Sequence, residues 1–370
     1  MSGVPFLDLR RGIAARRVAI DAAIAEVLDS GYYIGGPHCA AFERSFAEYC
    51  GSRHCVGVAN GLDALQLGLR ALGVGDGDEV IVSSNGYIAT WLAVSAIGAV
   101  PVPVEPDPAT HNLDPARVAD AITERTKVIL PTHLYGQPAD LDPLLALAAH
   151  HELKLLEDAA QAHGARYQGR RVGGHGDVVA WSFYPSKNLG ALGDGGAITT
   201  HNAEIAARVR TLGNYGSDVR YVNPLKGVNS RLDPLQAAVL SVKLAGLDAE
   251  NARRRAIAAR YNSELAGTGL ILPAVPNWAE PAWHLYVVRS PRRDALRDAL
   301  AAAGIGTLIH YPIPPHLQGA YAEMGLGAGS FPIAEQLARE VLSLPIDPHM
   351  RDDEVAQVIA GVIAGARAAA

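Results

Sequence analysis

Short apolar segments alternate with helical patterns through the first half of this chain. Seven of these segments have the length and composition of buried strands, and they begin near His54, Asp78, Ala99, Lys127, Leu153, Val178 and Gly196. Strands that alternate with helices are joined by right-handed crossovers and form a mostly parallel sheet. The pattern therefore predicts an α/β fold built around such a sheet.

The alternation changes from about Tyr261 onward, where helices and short strands of a smaller unit are predicted. A chain of 370 residues is long enough for one large domain and a second, smaller one. We expect a large domain over residues 1–250, which includes the N-terminal segment, and a small C-terminal α/β domain over residues 251–370.

Four local patterns give expectations about single elements. The glycine-rich segment 31–37 is predicted as a loop, and residues 234–260 are predicted as one long helix. Within the smaller domain, residues 306–311 are predicted as a strand and residues 335–342 as a helix.

Charge and composition exclude several classes of partner. The net charge is −6 and no long basic stretch is present, which argues against a nucleic-acid partner. No cationic start precedes an apolar run, and no apolar run reaches about 18 residues, so we expect a cytoplasmic protein without a membrane partner. The three cysteines lack metal-ligand spacing, which predicts reduced thiols and no metal site.

One lysine, Lys187, lies in the turn between the predicted strands that begin at Val178 and Gly196. Glycines follow it closely, and glycine allows a backbone to approach a bound group. A lysine in a tight, partly desolvated turn can have a lowered pKa and attack an aldehyde. The segment therefore indicates a Schiff-base lysine for pyridoxal phosphate; the alternative is a surface lysine on a strand-to-strand turn.

Two polar side chains follow the apolar run that ends at Leu156. Ligands of open α/β sheets bind at the carboxyl ends of strands, where Asp158 is expected. A pyridoxal cofactor needs a carboxylate at its pyridine nitrogen, and Asp158 is the candidate for this role. Gln161 could form a hydrogen bond with the ring hydroxyl. Asp158 could also be a helix N-cap, and one residue can serve both purposes.

Two motifs in this order resemble one family. They are Glu-Asp-Ala-Ala-Gln-Ala-His-Gly-Ala at 157–165 and Ser-Phe-Tyr-Pro-Ser-Lys-Asn-Leu-Gly-Ala-Leu-Gly-Asp-Gly-Gly-Ala at 182–197. They are similar to the pyridoxal-phosphate sugar aminotransferases of the DegT/DnrJ/EryC1/StrS family, and the similarity extends from Pro5 to Ile346. It implies an aspartate-aminotransferase-like fold (fold type I) with a mostly parallel seven-stranded sheet, assembled as a homodimer with shared active sites.

The resemblance also implies roles for residues that bind the cofactor. The backbone amides of Gly61 and Leu62, with the Ser182 hydroxyl, would hold the phosphate, because a glycine-containing turn at a helix N-terminus presents free N–H groups. Many members have a hydroxyl residue where this chain has Leu62. Tyr87 would stack on the pyridine ring, and Asn229 would reach the phosphate that is bound by the other subunit.

Four further residues are expected on the substrate side. The resemblance places Tyr33 at the mouth of the site, although its ring could equally pack beneath its own loop. Arg231 could meet a carboxylate or phosphate, or could form an ion pair near a helix start. His310 and His316 resemble the substrate-side loop of the family, but histidines are often structural.

The reaction that the resemblance implies moves an amino group, with L-glutamate as the expected donor, to a nucleotide-linked keto sugar. The segments 87–95, 111–115 and 133–137 are most similar to the branch that acts on dTDP-3-keto-6-deoxyhexoses. A 4-keto sugar nucleotide, a cyclitol ketone and a catalytically silent regulator of the same fold remain alternatives. A sugar 3-dehydratase is disfavoured because this chain keeps Lys187. The sequence leaves the sugar and its stereochemistry open.

Overall fold

A seven-stranded sheet forms the centre of residues 3–369, the part of the chain that the computed structural model describes. The strands in chain order are β1 (His54–Val58), β2 (Glu79–Ser83), β3 (Val100–Val104), β4 (Thr126–Leu130), β5 (Lys154–Asp158), β6 (Arg166–Tyr167), β7 (Arg170–Arg171), β8 (Val178–Ser182), β9 (Gly196–Thr200), β10 (Ala279–Glu280), β11 (Tyr286–Arg289) and β12 (Val341–Leu344). The order in the large sheet is β1-β9-β8-β5-β4-β2-β3. Only β9 runs antiparallel to its neighbours there, so the prediction of a mostly parallel sheet is confirmed.

Helices connect the strands and cover the sheet. In chain order they are α1 (Leu9–Ala14), α2 (Arg17–Ser30), α3 (Pro37–Cys50), α4 (Gly61–Ala71), α5 (Ala89–Ser95), α6 (Pro115–Val118), α7 (Leu141–His150), α8 (Ala203–Gly213), α9 (Pro234–Leu244), α10 (Leu247–Glu264), α11 (Arg293–Ala302), α12 (Pro332–Glu340) and α13 (Asp352–Ala369). Within residues 3–369 no helix is both long and apolar enough to cross a membrane.

Both faces of the sheet are buried. Val80 and Val82 of β2 pack in one apolar cluster, whereas Ile81 between them packs in another on the opposite face, because successive strand residues point to opposite sides. A strand that is covered on both faces has a continuous apolar sequence. This explains why the strand segments could be recognised from apolar composition alone.

A third apolar cluster lies in the C-terminal part of the chain. It contains Tyr286 of β11, Leu342 of β12 and Val358 of α13, and Val4 of the N-terminal segment packs into it. The predicted boundary between residues 250 and 251 falls inside α10. The division into two domains at that position stays a prediction.

One expectation about a loop was confirmed except at its last residue, and one about a helix was wrong. The predicted loop over residues 31–37 is a loop as far as Gly36, and α3 begins at Pro37, a residue that suits the first position of a helix. The long helix predicted over residues 234–260 is two helices, α9 and α10, with Gly246 between them. A Cβ atom on Gly246 would lie 2.4 Å from Arg16 Nη2, so an alanine here would require the end of the flexible Arg16 side chain to shift.

In the smaller unit, one expectation was wrong and another holds only in part. The segment 306–311 is not a strand and makes only an isolated bridge from Leu308 to Ser343. The helix predicted over residues 335–342 ends earlier, at Glu340, and β12 follows and pairs with β11. All four residues of β12 are buried, so the tertiary pairing decides the local structure here.

The three cysteines, Cys39, Cys50 and Cys55, are buried and form no disulfide. Burial raises the pKa of the Cys39 thiol to about 11, which keeps it protonated and unreactive at neutral pH. The structure therefore agrees with the expectation of reduced thiols.

Candidate active site

Lys187 lies in the turn between β8 and β9 and is half-buried. Its backbone N–H donates to the Tyr184 carbonyl, whereas its Nζ has no hydrogen-bond partner within residues 3–369. Burial lowers the pKa of Lys187 to about 8, although the negative charge of Asp158 acts in the opposite direction. A large fraction of this amine is therefore neutral near pH 8, the form that attacks an aldehyde.

The turn that carries Lys187 is closed tightly. Ala191 N–H donates to the Phe183 carbonyl at 2.8 Å. A Cβ atom added to Gly190 would lie only 2.4 Å from the Pro185 carbonyl oxygen. Gly190, one of the glycines that follow Lys187 in the sequence, is thus required by a close backbone approach. This tight turn fixes the position of Lys187.

Asp158 is the last residue of β5, and its carboxylate is buried. Its Oδ1 accepts the Ala160 N–H at 3.1 Å, which forms a local turn, and no regular helix begins there. Burial raises the pKa of Asp158, while the Ala160 N–H and the Lys187 ammonium lower it. A buried carboxylate of this kind favours a cationic partner such as a protonated pyridine nitrogen.

Gln161 is held at both ends of its amide. Its Oε1 accepts the Tyr135 N–H at 2.5 Å, and its Nε2 donates to Tyr311 Oη at 3.0 Å. The Tyr311 ring also lies beside the Tyr87 ring, with 5.4 Å between the ring centroids. Tyr311 therefore links two residues that were predicted to bind the cofactor. Sequence reasoning gave it no role, although it lies in the segment His310-Tyr311-Pro312 that resembled the substrate-side loop.

The N-terminus of α4 faces the end of β8. The Asn60 side chain caps this helix by accepting the Asp63 N–H at 2.8 Å. Within residues 3–369, the backbone N–H groups of Gly61 and Leu62 have no acceptor. A Cβ atom on Gly61 would lie 2.6 Å from Ser182 Cβ, and only glycine allows the two elements to come so close. Two free N–H groups beside a serine hydroxyl form a suitable cradle for a phosphate.

A second buried pair, which sequence reasoning missed, lies behind Asp158. His133 Nδ1 accepts the Ala139 N–H at 3.0 Å, so its Nε2 carries the proton that faces Glu157 Oε2 at 2.9 Å. Burial alone would raise the pKa of Glu157, but His133 and the Gly176 N–H hold it below its ordinary value. The backbone N–H of His133 also donates to the backbone carbonyl of Asp158. The pair of His133 and Glu157 therefore fixes the strand end that carries Asp158.

Of the predicted substrate residues, only His310 lies near Lys187. His310 Nδ1 shares a hydrogen bond of 2.8 Å with Ser343 Oγ, and burial together with the Lys187 charge lowers its pKa to about 4. Tyr33 is 55% exposed, and its hydroxyl donates to the Leu28 carbonyl. His316 is 1% exposed and bonds to Glu335 at 3.2 Å. The positions of Tyr33 and His316 add no support for contact with a substrate, and these roles stay predictions.

Within residues 3–369, neither Asn229 nor Arg231 forms a hydrogen bond with Lys187 or Asp158. Asn229 is exposed and pairs through its backbone with Asn214. Arg231 Nη1 donates to Asn214 Oδ1 at 2.9 Å, and its guanidinium lies 5.7 Å from the centroid of the Tyr215 ring. Among residues 3–369 Arg231 forms no ion pair. The alternative prediction, an ion pair near a helix start, was therefore wrong.

Two cavities adjoin the lysine. One, of about 290 Å³, is lined by Lys187 together with the N-terminal residues Leu7 and Asp8. The other, of about 360 Å³, is lined by Ser186 and His310. The N-terminal segment thus forms a wall of the space beside Lys187. Within residues 3–369 no group of three or more His, Cys, Asp or Glu side chains is arranged to hold a metal ion.

Comparison with known proteins agrees with this geometry. The model of the DegT/DnrJ/EryC1/StrS aminotransferase family matches residues 15–363. The chain is 57% identical over 364 residues to the erythromycin biosynthesis sensory transduction protein EryC1 of Saccharopolyspora erythraea, with 98% of this chain and 100% of that protein covered. It is 57% identical over 360 residues to the dTDP-3-amino-3,4,6-trideoxy-alpha-D-glucose transaminase of Streptomyces venezuelae, with 97% and 95% covered.

The fold has a close counterpart among solved structures. The crystal structure of S. venezuelae DesV in complex with a ketimine intermediate superposes with a TM-score of 0.97 at 56% identity, and 99% of each chain is covered. A mostly parallel sheet with a lysine after β8 and an aspartate at the end of β5 defines a fold type I transferase of the aspartate-aminotransferase kind. The chain belongs to the DegT/DnrJ/EryC1/StrS aminotransferase family.

Proposed function

We propose that this protein is a pyridoxal-phosphate aminotransferase that moves an amino group from L-glutamate to a dTDP-3-keto-6-deoxyhexose and so forms a dTDP-3-amino sugar. The observation that carries the proposal is that the buried Asp158 carboxylate lies close enough to Lys187 to attract its charge, although the two side chains form no ion pair within residues 3–369. The lysine has a lowered pKa and a free Nζ, and the buried carboxylate attracts it from the end of β5. Such a pair at a strand end suits a cofactor that is both an aldehyde and a pyridine.

The residues around this pair fit pyridoxal phosphate. The free N–H groups at the start of α4, with the Ser182 hydroxyl, would hold the phosphate. Asp158 would face the ring nitrogen, Gln161 the ring hydroxyl and Tyr87 the ring face. When bound, pyridoxal phosphate supplies an electron-withdrawing ring that stabilises negative charge at the carbon that loses a proton.

Lys187 is the group that moves protons in this proposal. As a neutral amine its Nζ would accept the proton from the α-carbon of the amino donor, and as an ammonium it would deliver that proton to the former aldehyde carbon of the bound cofactor, on the same side of the site. With the cofactor bound, the Asp158 carboxylate would hold the positive charge of the ring nitrogen in place. The rigid turn around Gly190 keeps Nζ in position for both transfers.

The choice of sugar rests on similarity. The S. venezuelae relative is named for a dTDP-3-amino-3,4,6-trideoxy sugar, which supports amination at C3 of a dTDP-linked sugar. The S. erythraea relative is named as a sensory transduction protein, and this name keeps a silent regulator as the second candidate. The presence of Lys187, Asp158 and Gln161 in one site favours the enzyme.

We further infer a homodimer in which Asn229 and Arg231 serve the site of the other subunit. Asn229 is exposed and neither residue contacts Lys187 or Asp158 in its own chain, as expected for groups that act across an interface. Exposed aromatic side chains in the nearby segment, Tyr215 and Tyr221, provide apolar surface for such an interface. The expected location is the cytoplasm, where nucleotide sugars are available.

An absorbance spectrum tests the proposal directly. The purified protein with pyridoxal phosphate should show the band of the lysine–cofactor Schiff base, and L-glutamate should shift it. A dTDP-3-keto-6-deoxyhexose made in situ should then restore it. If glutamate shifts the band and only a 4-keto sugar nucleotide restores it, amination is at C4. A protein that never forms the band is not an aminotransferase.

A further inference from the structure

A buried arginine, Arg254 of α10, is shared by the walls of two neighbouring cavities, one of which is lined by Lys187. Its side chain is only 5% exposed. It lines the cavity of about 290 Å³ that contains Lys187, and it also lines the cavity of about 360 Å³ that contains His310. A cation at this depth in a protein normally has an anionic partner, because burial of an unpaired charge is costly.

Arg254 has no anionic partner in the described chain. Its Nη1 donates to the backbone carbonyls of Trp283 and Ile346. Within residues 3–369 its Nε and Nη2 form no hydrogen bond, and no carboxylate lies within 4.0 Å of the guanidinium. Two of its three nitrogen atoms are thus available to a molecule that enters either cavity.

The nearest carboxylates are engaged elsewhere. Glu250 pairs with Arg16 at 2.7 Å and with His349 at 3.1 Å. Asp347 accepts the backbone N–H groups of Asp8 and His349. Both carboxylates attract Arg254 at longer range, yet burial still lowers its pKa. The local protein charge therefore leaves Arg254 incompletely neutralised.

We propose that Arg254 binds a carboxylate of the amino donor through its free Nε and Nη2 atoms. The proposal rests on the proposed function and adds the residue that recognises the donor. A guanidinium edge with two parallel N–H groups matches a carboxylate in a bidentate pair. The other arginine of the first cavity, Arg16, is already paired with Glu250.

The position of Arg254 favours the donor over the sugar nucleotide. The α-carbon of the donor must reach Lys187 Nζ, and the α-carboxylate is attached directly to that carbon. A group that binds this carboxylate must therefore line the same cavity as the lysine, as Arg254 does. The phosphates of a nucleotide sugar are several bonds away from the keto carbon, so their binding group is expected farther from Lys187.

A non-reacting probe tests the proposal on the wild-type holoenzyme. Glutarate carries the two carboxylates of glutamate without the amino group, and glutaramide has the same shape without charge. We expect saturable perturbation of the lysine–cofactor band by glutarate and none by glutaramide. Glutarate should also protect Arg254 from phenylglyoxal, as mapped by mass spectrometry. Modification of Arg254 at an unchanged rate in saturating glutarate would overturn the proposal.

Variants separate the two half-reactions. Arg254→Lys keeps the charge but loses the bidentate edge, and we expect the apparent Kd for L-glutamate to rise about 10- to 100-fold. The aminated form of the enzyme should bind the keto sugar with a Kd within about twofold of wild type. Arg253→Gln is the matched control, because Arg253 lies next in sequence but pairs with Asp352; it should leave both values unchanged.

Each outcome has a distinct meaning. The role of Arg254 is refuted if the wild-type enzyme transaminates and Arg254→Lys binds L-glutamate with an unchanged Kd. It is also refuted if this variant loses affinity for L-glutamate and for the keto sugar equally. A wild-type protein that reacts with neither substrate instead refutes the proposed function. If Arg254→Lys does not fold because the Trp283 and Ile346 carbonyls lose their donor, the phenylglyoxal protection in wild type still decides.

Discussion

Gln161 Nε2 donates a hydrogen bond of 3.0 Å to Tyr311 Oη, and this bond joins the C-terminal part of the chain to the strand end that carries Asp158. The other end of the amide is fixed because Gln161 Oε1 accepts the Tyr135 N–H. The Tyr135 hydroxyl in turn donates to the His310 carbonyl, one residue before Tyr311. The orientation of Gln161 therefore depends on where the small unit places Tyr311.

Replacement of Tyr311 by phenylalanine should loosen this arrangement. The variant keeps the ring beside Tyr87 but removes the only side-chain acceptor of Gln161 Nε2 within residues 3–369. We expect the Kd for pyridoxal phosphate to rise about 2- to 10-fold, as for the loss of one hydrogen bond worth about 1 kcal/mol. Fluorescence titration of the cofactor-free protein measures this.

Tyr321→Phe is the control for that experiment. Tyr321 Oη bonds to Ser95 Oγ at 3.2 Å, away from the predicted cofactor residues. Its loss should lower the free energy of unfolding by a similar amount and leave the cofactor Kd unchanged. Equal cofactor affinity in wild type and Tyr311→Phe would show that Gln161 does not need the Tyr311 hydroxyl to hold the orientation that binds the cofactor.

Replacement of Lys187 by alanine should abolish the reaction. Within residues 3–369, Lys187 is the only lysine that acts on Asp158. We therefore expect the Schiff-base band to disappear and kcat to fall by at least about 10²- to 10⁴-fold, the usual contribution of a general acid–base group. Lys154→Ala is the control, because Lys154 is exposed and pairs with Asp177. A variant without Lys187 that kept the band would place the Schiff base elsewhere.

The strand ends of the site could be predicted because their signals are local. The apolar runs before Asp158 and Lys187 are buried on both faces of the sheet, and polar residues directly after such runs lie at its edge. The glycines after Lys187 similarly marked a tight turn that the structure contains.

Residues from the C-terminal part could not be predicted in the same way. Arg254 lies within Arg253-Arg254-Arg255, and nothing local indicates which of the three arginines faces the cavities. Tyr311 reaches Gln161 only through tertiary packing over 150 positions of sequence separation. Strand β12 likewise depends on its pairing with β11, so the helix predicted over residues 335–342 was carried two residues too far, over Val341 and Leu342.

Replacement of Gly61 by alanine should weaken the phosphate cradle. The new Cβ would lie 2.6 Å from Ser182 Cβ, so α4 and β8 must move apart. We expect a loss of about 1–3 kcal/mol in the free energy of unfolding, typical of overpacking, and a higher Kd for pyridoxal phosphate. Gly75→Ala is the control, because a Cβ there meets nothing within 4 Å. Unchanged cofactor affinity in Gly61→Ala would contradict the assignment of the cradle.

The rate at which the cofactor-free protein captures pyridoxal phosphate should depend on pH. Burial lowers the pKa of Lys187 from an ordinary 10.5 to about 8, and only the neutral amine attacks the aldehyde. The rate should therefore rise with pH through about 8 and then level off, which stopped-flow absorbance can follow. The Lys187→Ala variant supplies the background from surface lysines.

Because the folded protein binds fewer protons than the unfolded chain between pH 8 and 10.5, Lys187 should also make the cofactor-free protein more stable as pH rises across that interval. A capture rate that keeps increasing up to about pH 10 would show that Lys187 is an ordinary exposed lysine.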